Sequence, residues 1–169
     1  MNTFKSISPY EMTVNPFTMI GKDWLLITAE KDGKANTMTA SWGGVGILWN
    51  KPVAYVFIRP QRYTKEFVDS NARLSLSVPG GAFRKQLNYL GKVSGRDEPK
   101  IENAGLTLRT EDGVPFFDEA QTVLLCRKMY KQDLDGRCFI DAAISPAMYA
   151  EKDFHTMYVC EIEKVLIRA

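Results

Sequence analysis

Cysteine and histidine are scarce in this sequence, and their scarcity narrows the chemistry open to it. The chain has one histidine and three cysteines, Cys126, Cys138 and Cys160, and none of the cysteines forms a C-x-x-C pair. This set argues against a zinc site, and we expect no metal ion. An odd number of cysteines and an N-terminus without the apolar core of a signal peptide indicate a cytoplasmic protein.

Three further signatures are absent. No apolar run approaches the roughly 20 residues that a membrane-spanning helix needs, so we expect no membrane partner. Lysine and arginine (22) nearly balance aspartate and glutamate (20), and both signs are scattered along the chain. The basic stripe of a nucleic-acid-binding protein is therefore missing. No G-x-G-x-x-G follows a predicted strand, which argues against a Rossmann dinucleotide-binding unit.

The apolar pattern predicts a single domain over residues 1–169, built mainly from β-strands. With 169 residues, 45% of them hydrophobic, the chain can bury one sizeable core. Asp32-Gly33 between two apolar runs predicts a hairpin. Alternation with period two and runs of β-branched or aromatic residues predict strands over 24–29, 35–42, 53–59, 73–78, 122–127, 138–142 and 157–167.

Helices are fewer than strands. Thr64 is the predicted N-cap of one helix. Residues 82–90 place Leu87 and Leu90 on one face of a second, amphipathic helix, and a short third helix is predicted over 100–104. The helices interrupt the strands instead of alternating with them. This order predicts a β-barrel with helical insertions rather than a parallel α/β sheet.

A run of small and hydroxyl-bearing residues precedes Gly43 and Gly44. Short side chains leave backbone N–H groups open to a ligand, and the hydroxyls can reach a ribityl chain or a phosphate. A flavin ring needs such donors along its polar edge. The alternative is an edge strand whose outward residues happen to be threonine and serine. The candidate cofactor-binding residues are Asn36, Thr37, Met38, Thr39, Ala40, Ser41 and Trp42.

Two arginines follow the apolar run 53–58 and precede the predicted helix at Thr64. Arginine makes paired contacts with phosphate oxygens, and the free N–H groups of a helix N-terminus favour an anion. Arg59, Arg62, Tyr63 and Thr64 are therefore candidates to hold a phosphate. The alternative is a solvated, charged turn. Combined with the preceding run, this segment predicts a phosphorylated ring cofactor.

Two more candidate segments lie later in the chain. Within Gly91–Asp97, a cation such as Lys92 near a flavin would stabilise the negative charge that develops on reduction, and Ser94 belongs to a tight polar turn. The alternative is a surface loop. His155 is either a hydrogen-bonded structural residue or a catalytic group that orients a nicotinamide or delivers a proton. The pair Phe116–Phe117 is predicted to lie in the core.

Four segments, taken in order, resemble the flavin reductase-like, FMN-binding split-barrel family, and within it the flavoredoxin branch. They are Asn36–Trp42, Arg59–Thr64, Gly91–Asp97 and His155 before the final strand. The resemblance extends from about Pro16 to the C-terminus. It implies a split β-barrel that forms a homodimer, with FMN held near the subunit interface.

The resemblance also implies a role for each segment. Asn36–Trp42 would contact the isoalloxazine and ribityl parts of FMN. The histidine that matches His155 is associated with nicotinamide binding, and here it stands in Asp-Phe-His where many relatives have Gly-Asp-His. The residues implied near the phosphate or the flavin are Arg59, Arg62, Thr64, Lys92 and Ser94.

The function implied is that of an FMN-dependent oxidoreductase. FMN would take a hydride from NADH or NADPH, its small-molecule electron donor, and electrons would pass to an unknown acceptor. The first alternative is an FMN electron carrier that a redox protein reduces, without direct use of a nucleotide. The second is a barrel that binds another ligand, such as haem. No histidine or cysteine stands in an axial-ligand motif, which argues against haem.

Overall fold

Strands make up most of the regular structure in the computed structural model, which describes residues 2–169. The strands are β1 (Phe4–Ile7), β2 (Leu25–Lys31), β3 (Lys34–Ala40), β4 (Gly44–Leu48), β5 (Lys51–Ile58), β6 (Arg73–Val78), β7 (Leu108–Glu111), β8 (Val114–Phe117), β9 (Thr122–Asp133) and β10 (Thr156–Arg168). The α-helices are α1 (Pro16–Thr18), α2 (Thr64–Ser70), α3 (Arg84–Lys92), α4 (Lys100–Asn103) and α5 (Ile144–Met148). A π-helical turn, Met19–Asp23, follows α1, and 3₁₀ turns cover Pro9–Glu11, Gly81–Phe83 and Gly136–Cys138.

The main sheet is curled so that its two edges approach each other. Its strands pair in the order β3-β2-β6-β9-β10-β5-β4, with β1 added to β10, while β7 and β8 form a separate pair. The edge strands β3 and β4 follow one another in the chain, and only Ser41, Trp42 and Gly43 separate them. Such a connection spans at most about 14 Å. The edges therefore come close without a hydrogen-bonded ladder, which gives a split β-barrel and confirms the predicted fold class.

The β2–β3 hairpin forms where the sequence predicts it. Asp32 and Gly33 both have positive φ angles, 51° and 74°, as a tight turn between right-twisted strands requires. Strand β2 is buried on both faces, because Ile27 points into the barrel core and Leu26 packs beneath α3. The helix on the outer face explains why this strand is apolar throughout.

Helix α3 covers the barrel with the amphipathic face that its sequence predicts. Leu87 and Leu90 are fully buried, and they pack with Leu26 and Phe117. Burial of each leucine stabilises the fold by about 1.5–3 kcal/mol. Phe116 is also buried, in a neighbouring cluster beside β9. The prediction that Phe116 and Phe117 belong to the core is confirmed.

The predicted strand over 138–142 is wrong. This segment consists of a 3₁₀ turn and bends, in which Asp135 accepts a hydrogen bond from the N–H of Arg137 (2.8 Å) and Asp141 from that of Ala143 (2.9 Å). Short acidic side chains that bond to nearby backbone compete with a sheet ladder. Ile140, which the pattern placed in the strand, is fully exposed.

Two smaller corrections concern helix starts and short strands. Thr64 is the first residue of α2 rather than its N-cap, and its hydroxyl accepts a hydrogen bond from Asn36 instead of from the helix backbone. Strands β1, β4, β7 and β8 escape the sequence pattern because each has only four or five residues. Within residues 2–169, no helix combines the length and apolar character needed to cross a bilayer.

Candidate functional site

Three of the four predicted site segments meet in a pocket between the C-terminal ends of β3 and β5, here called the β3–β5 pocket. It has a volume of about 210 Å³ and is open to solvent. Backbone topology explains the meeting, because β3 is one edge of the curled sheet and β5 pairs with β4, the other edge. The lining residues are Met38, Thr39, Ala40, Ser41, Trp42, Phe57, Arg59, Arg62 and His155.

The connection from β3 to β4 forms one side of the pocket. Gly43 has a φ of 137°, and a Cβ atom at this position would lie 2.6 Å from the carbonyl oxygen of Tyr55. Only glycine fits this backbone conformation and this close approach. The Trp42 side chain is 46% exposed, and its ring centroid lies 5.1 Å from that of His155. Trp42 thus offers a free aromatic surface at the mouth of the pocket.

Three hydrogen-bonding side chains of the Asn36–Trp42 run are already engaged within the fold. Asn36 donates to Thr64 Oγ1 (2.9 Å), Thr37 donates to the carbonyl oxygen of Ile27 (3.0 Å), and Thr39 donates to that of Leu87 (2.5 Å). The three acceptor residues, Thr64, Ile27 and Leu87, are all buried. A ligand in the pocket would therefore meet backbone groups and the Ser41 hydroxyl rather than the threonine donors.

Arg59 lines the pocket but its charge is neutralised. Its guanidinium forms an ion pair with Asp153, donates to the carbonyl oxygen of Met148 (2.7 Å) and lies 5.2 Å from the centroid of the Tyr149 ring. These contacts bind the end of β5 to the segment that precedes β10. They leave Arg59 less able to attract an anion than its sequence position suggests.

Arg62 lines the same pocket without a carboxylate partner among residues 2–169. It donates to the carbonyl oxygen of Gly91 (2.9 Å), and burial lowers the pKa of its guanidinium. Lys100 is a second buried cation nearby, and it donates to the carbonyl oxygens of Leu90 (3.1 Å) and Val93 (2.9 Å). Burial, with a smaller contribution from the Arg62 charge, lowers the Lys100 pKa to about 8. Both cations stand at the C-terminal end of α3, where free carbonyl groups favour positive charge.

His155 is held in its neutral form. Its Nδ1 atom shares a hydrogen bond of 2.8 Å with the hydroxyl of Tyr149. Burial lowers the His155 pKa to about 4, with a further lowering by Arg59 and an opposing effect of Asp153. At neutral pH the ring can therefore orient a neighbouring group by hydrogen bonding, but it carries no proton to deliver as an imidazolium.

Six predicted site residues lie outside the lining of the β3–β5 pocket: Asn36 and Thr37, described above, and Tyr63, Thr64, Lys92 and Ser94. Lys92 is exposed at the end of α3, and the Ser94 hydroxyl accepts a hydrogen bond from the N–H of Arg96 (3.2 Å). Tyr63 packs on Phe67, with ring centroids 5.0 Å apart. Thr64 is buried against Asn36. Their predicted roles toward a cofactor stay predictions.

Sequence reasoning missed four residues that shape the site, namely Phe57, Lys100, Tyr149 and Asp153. Asp153 stands two positions before His155, so the Asp-Phe-His pattern was the one available signal. The other three acquire their roles only through tertiary contacts. Within residues 2–169, no cluster of three or more histidine, cysteine, aspartate or glutamate side chains is arranged to hold a metal ion.

Residues 11–169 match the family model of the flavin reductase like domain. This chain belongs to the flavin reductase-like family. Among curated proteins, YddH of Escherichia coli (strain K12), whose function is uncharacterised, is 23% identical over 140 residues, which cover 79% of this chain and 65% of YddH. The chain therefore spans about two thirds of the length of this curated relative.

Solved structures share the fold of this family member. An FMN-binding domain of a flavin reductases-like enzyme from Shewanella baltica OS155 has a TM-score of 0.73 and 18% identity, with 99% of this chain and 78% of that one covered. The flavoredoxin of Desulfovibrio vulgaris (Miyazaki F) has a TM-score of 0.67 and 21% identity, with 95% and 75% covered. The resemblance to the flavin reductase-like split barrels is thus confirmed at the level of family and fold.

Proposed function

We propose that this chain binds FMN in the β3–β5 pocket and acts as an oxidoreductase that transfers hydride from NADH or NADPH to FMN and electrons onward to an acceptor. The observation that carries the proposal is the convergence of Ser41, the exposed Trp42 indole and Arg62, which has no carboxylate partner among residues 2–169, on one pocket. Membership of the flavin reductase-like family and the FMN-binding Shewanella domain of the same fold support it.

The chemistry of the lining fits a phosphorylated ring. Arg62 offers a half-buried positive charge without a carboxylate partner among residues 2–169, which suits a phosphate. On the other side, Trp42 offers an aromatic surface and Ser41 offers a hydroxyl group. An adjoining cavity of about 240 Å³ shares Ser41, Trp42 and both glycines. An extended ligand can therefore occupy more space than the β3–β5 pocket alone.

Bound FMN would supply the hydride-accepting and electron-transferring chemistry. The side chains would position it: Arg62 would hold the phosphate, and Trp42 would bound the ring. His155, neutral and fixed by Tyr149, would orient a nicotinamide or another reactant by hydrogen bonding. The Arg59–Asp153 pair would keep the end of β5 in place beside His155. Lys92 and Ser94 lie outside the pocket lining. Contact of these two residues with the flavin would require the Gly91–Asp97 loop to move toward the pocket.

A second candidate function is an FMN electron carrier that a redox protein reduces. One observation favours it: Arg59, the other cation of the pocket, is paired with Asp153, so no free charge beyond Arg62 lines the pocket to bind the phosphates of a nucleotide. The fold similarity to a flavoredoxin is compatible with this function.

We also propose that the chain forms a homodimer. Exposed apolar side chains on and beside the edge strand β4 support this assembly, among them Ile47 (58% exposed) and Trp49 (55% exposed). Unpaired edge strands that carry apolar residues favour pairing with another chain. Light scattering should give the mass of two chains, and the mass of one chain would contradict the proposal.

The test of the function is an absorbance spectrum of the purified protein with FMN, recorded anaerobically before and after NADH and then NADPH. We expect saturable FMN binding and bleaching of the flavin bands by one nucleotide. Bleaching by dithionite or a reductase alone would favour the electron carrier. Absence of FMN binding would contradict both functions, and a Soret band in its place would indicate a haem-binding barrel.

A further inference from the structure

A second cavity, here called the apolar cavity, is open to solvent and shares Trp42 with the β3–β5 pocket. It has a volume of about 490 Å³, within the range of small-molecule sites. The segment between β9 and β10 forms most of its wall, and no charged side chain lines it. Its lining includes Trp42, Phe139, Ile144, Ala147, Met148 and Tyr149.

Two lining residues of the apolar cavity, Phe139 and Tyr149, belong to a packed aromatic cluster. The Phe154 ring centroid lies 5.7 Å from that of Phe139 and 5.0 Å from that of Tyr149. Gly136 allows this packing, because a Cβ atom there would lie 2.8 Å from the Phe154 ring. This packing holds Phe139 and Tyr149 in place, while exposed residues of α5 form much of the rest of the wall.

The apolar cavity communicates with the β3–β5 pocket through two contacts. Trp42 lines both spaces. Tyr149 lines the apolar cavity, and its hydroxyl is hydrogen bonded to His155, which lines the β3–β5 pocket. A molecule in the apolar cavity would therefore contact the same Trp42 side chain that lines the proposed FMN pocket.

We propose that the apolar cavity binds an uncharged quinone-type ring, the electron acceptor of the proposed oxidoreductase. Aromatic and aliphatic walls favour a flat apolar ring, and they disfavour a charged molecule, which would lose hydration without gaining an ion pair. The inference rests on the proposed function for its redox role. The reaction balances as NAD(P)H, one proton from solvent and a quinone giving NAD(P)⁺ and a hydroquinone.

The binding test uses 1,4-naphthoquinone and the full chain, without flavin or reductant. NMR would follow the Trp42 indole N–H and the ring of the single histidine. We expect saturable shifts of both signals. The negatively charged 1,4-naphthoquinone-2-sulfonate should bind at least tenfold more weakly, and equal binding of the two compounds would overturn the assignment to an uncharged ring.

Matched variants locate the binding site. Ala147→Phe fills the apolar cavity from the exposed surface of α5 and should weaken naphthoquinone binding at least tenfold. Ile140→Ala changes a fully exposed residue of the same segment outside the lining and should alter binding less than twofold. Unaltered binding by Ala147→Phe, or no saturable shift in the wild type, would overturn the inference. If a second copy of the chain covered the cavity, naphthoquinone would also cause no NMR shift. That result would count against the inference as well.

The same titrations separate this inference from the proposed function. If FMN binds and naphthoquinone does not, the acceptor site is wrong while the flavin function stands. If naphthoquinone binds and FMN does not, the apolar cavity is a ligand site but its redox role fails with the flavin function.

Discussion

Arg59 and Arg62 stand three residues apart and line the same pocket, yet they present different charges to it. Arg59 is paired with Asp153 and packs over Tyr149. Arg62 meets only a backbone carbonyl, with Lys100 as a second cation nearby. The difference shows that an arginine beside a pocket can bind an anion only when it does not already form an ion pair with a carboxylate of the protein. We therefore expect a phosphate to bind at the end of the pocket that Arg62 lines. At the other end, Arg59 stabilises the fold through its ion pair.

The largest expected effect is a loss of stability at acidic pH. It arises near Arg59, where burial keeps His155 neutral. The His155 pKa falls from an ordinary value of 6.5 to about 4. Between these values the unfolded chain binds a proton that the folded chain does not. The free energy of unfolding should therefore decrease by about 3 kcal/mol as the pH falls from 6.5 to 4. Urea unfolding at several pH values measures this decrease.

His155→Gln is the matched variant for the pH experiment. It removes the only histidine of the chain and keeps a side chain that can hydrogen bond to Tyr149. The wild type should lose more stability than this variant between pH 6.5 and 4. Equal losses in the two proteins would mean that His155 titrates normally and that the burial argument fails.

The second largest expected effect is a loss of FMN affinity when Arg62 is replaced. Arg62→Ala should weaken FMN binding by about 1.5–3 kcal/mol, because a charged hydrogen bond to the phosphate is lost. Riboflavin has no phosphate and should lose much less affinity. Fluorescence titration with both flavins measures the difference, and equal losses would remove Arg62 from the phosphate site.

Arg59→Ala tests the other half of the comparison in the same assay. Its ion pair with Asp153 is partly exposed, so its removal should cost about 1 kcal/mol of stability or less. FMN and riboflavin should respond alike to this change. A selective loss of FMN affinity in Arg59→Ala would reverse the roles assigned to the two arginines.

The smallest effect should come from Asp153→Asn, which removes the negative charge that pairs with Arg59. FMN binding should strengthen by about 0.3–1 kcal/mol, since a second cation becomes available to an anion. The His155 pKa should fall further, because Asp153 opposes its lowering. NMR titration of the single histidine ring measures the pKa, and a rise would contradict the electrostatic account.

Local sequence patterns predict most of the fold because the elements carry strong local signals. Asp32-Gly33 specifies the β2–β3 hairpin, and Leu87 and Leu90 specify the buried face of α3. The segment over 138–142 has a strand-like composition. It does not join the sheet because aspartates accept hydrogen bonds from nearby backbone N–H groups and stabilise turns instead. Strand β4 is missed because Gly44 and Gly46 have no strand propensity.

The candidate site could be predicted in part for a similar reason. Met38–Trp42, Arg62 and His155 carry recognisable local chemistry, and the barrel brings them together. The sequence could not reveal that Asp153 neutralises Arg59, because these residues are 94 positions apart. Nor could it reveal that Asn36 and Thr37 direct their side chains into the fold. Such contacts depend on strand register and on the path of the β9–β10 segment.

The most direct test of the central claim is a crystal structure of the protein soaked with FMN. We predict the isoalloxazine ring beside Trp42, with the phosphate within hydrogen-bond distance of Arg62 and the Arg59–Asp153 pair intact. A phosphate bound to Arg59 after that pair has broken, or a flavin bound outside the β3–β5 pocket, would contradict the account.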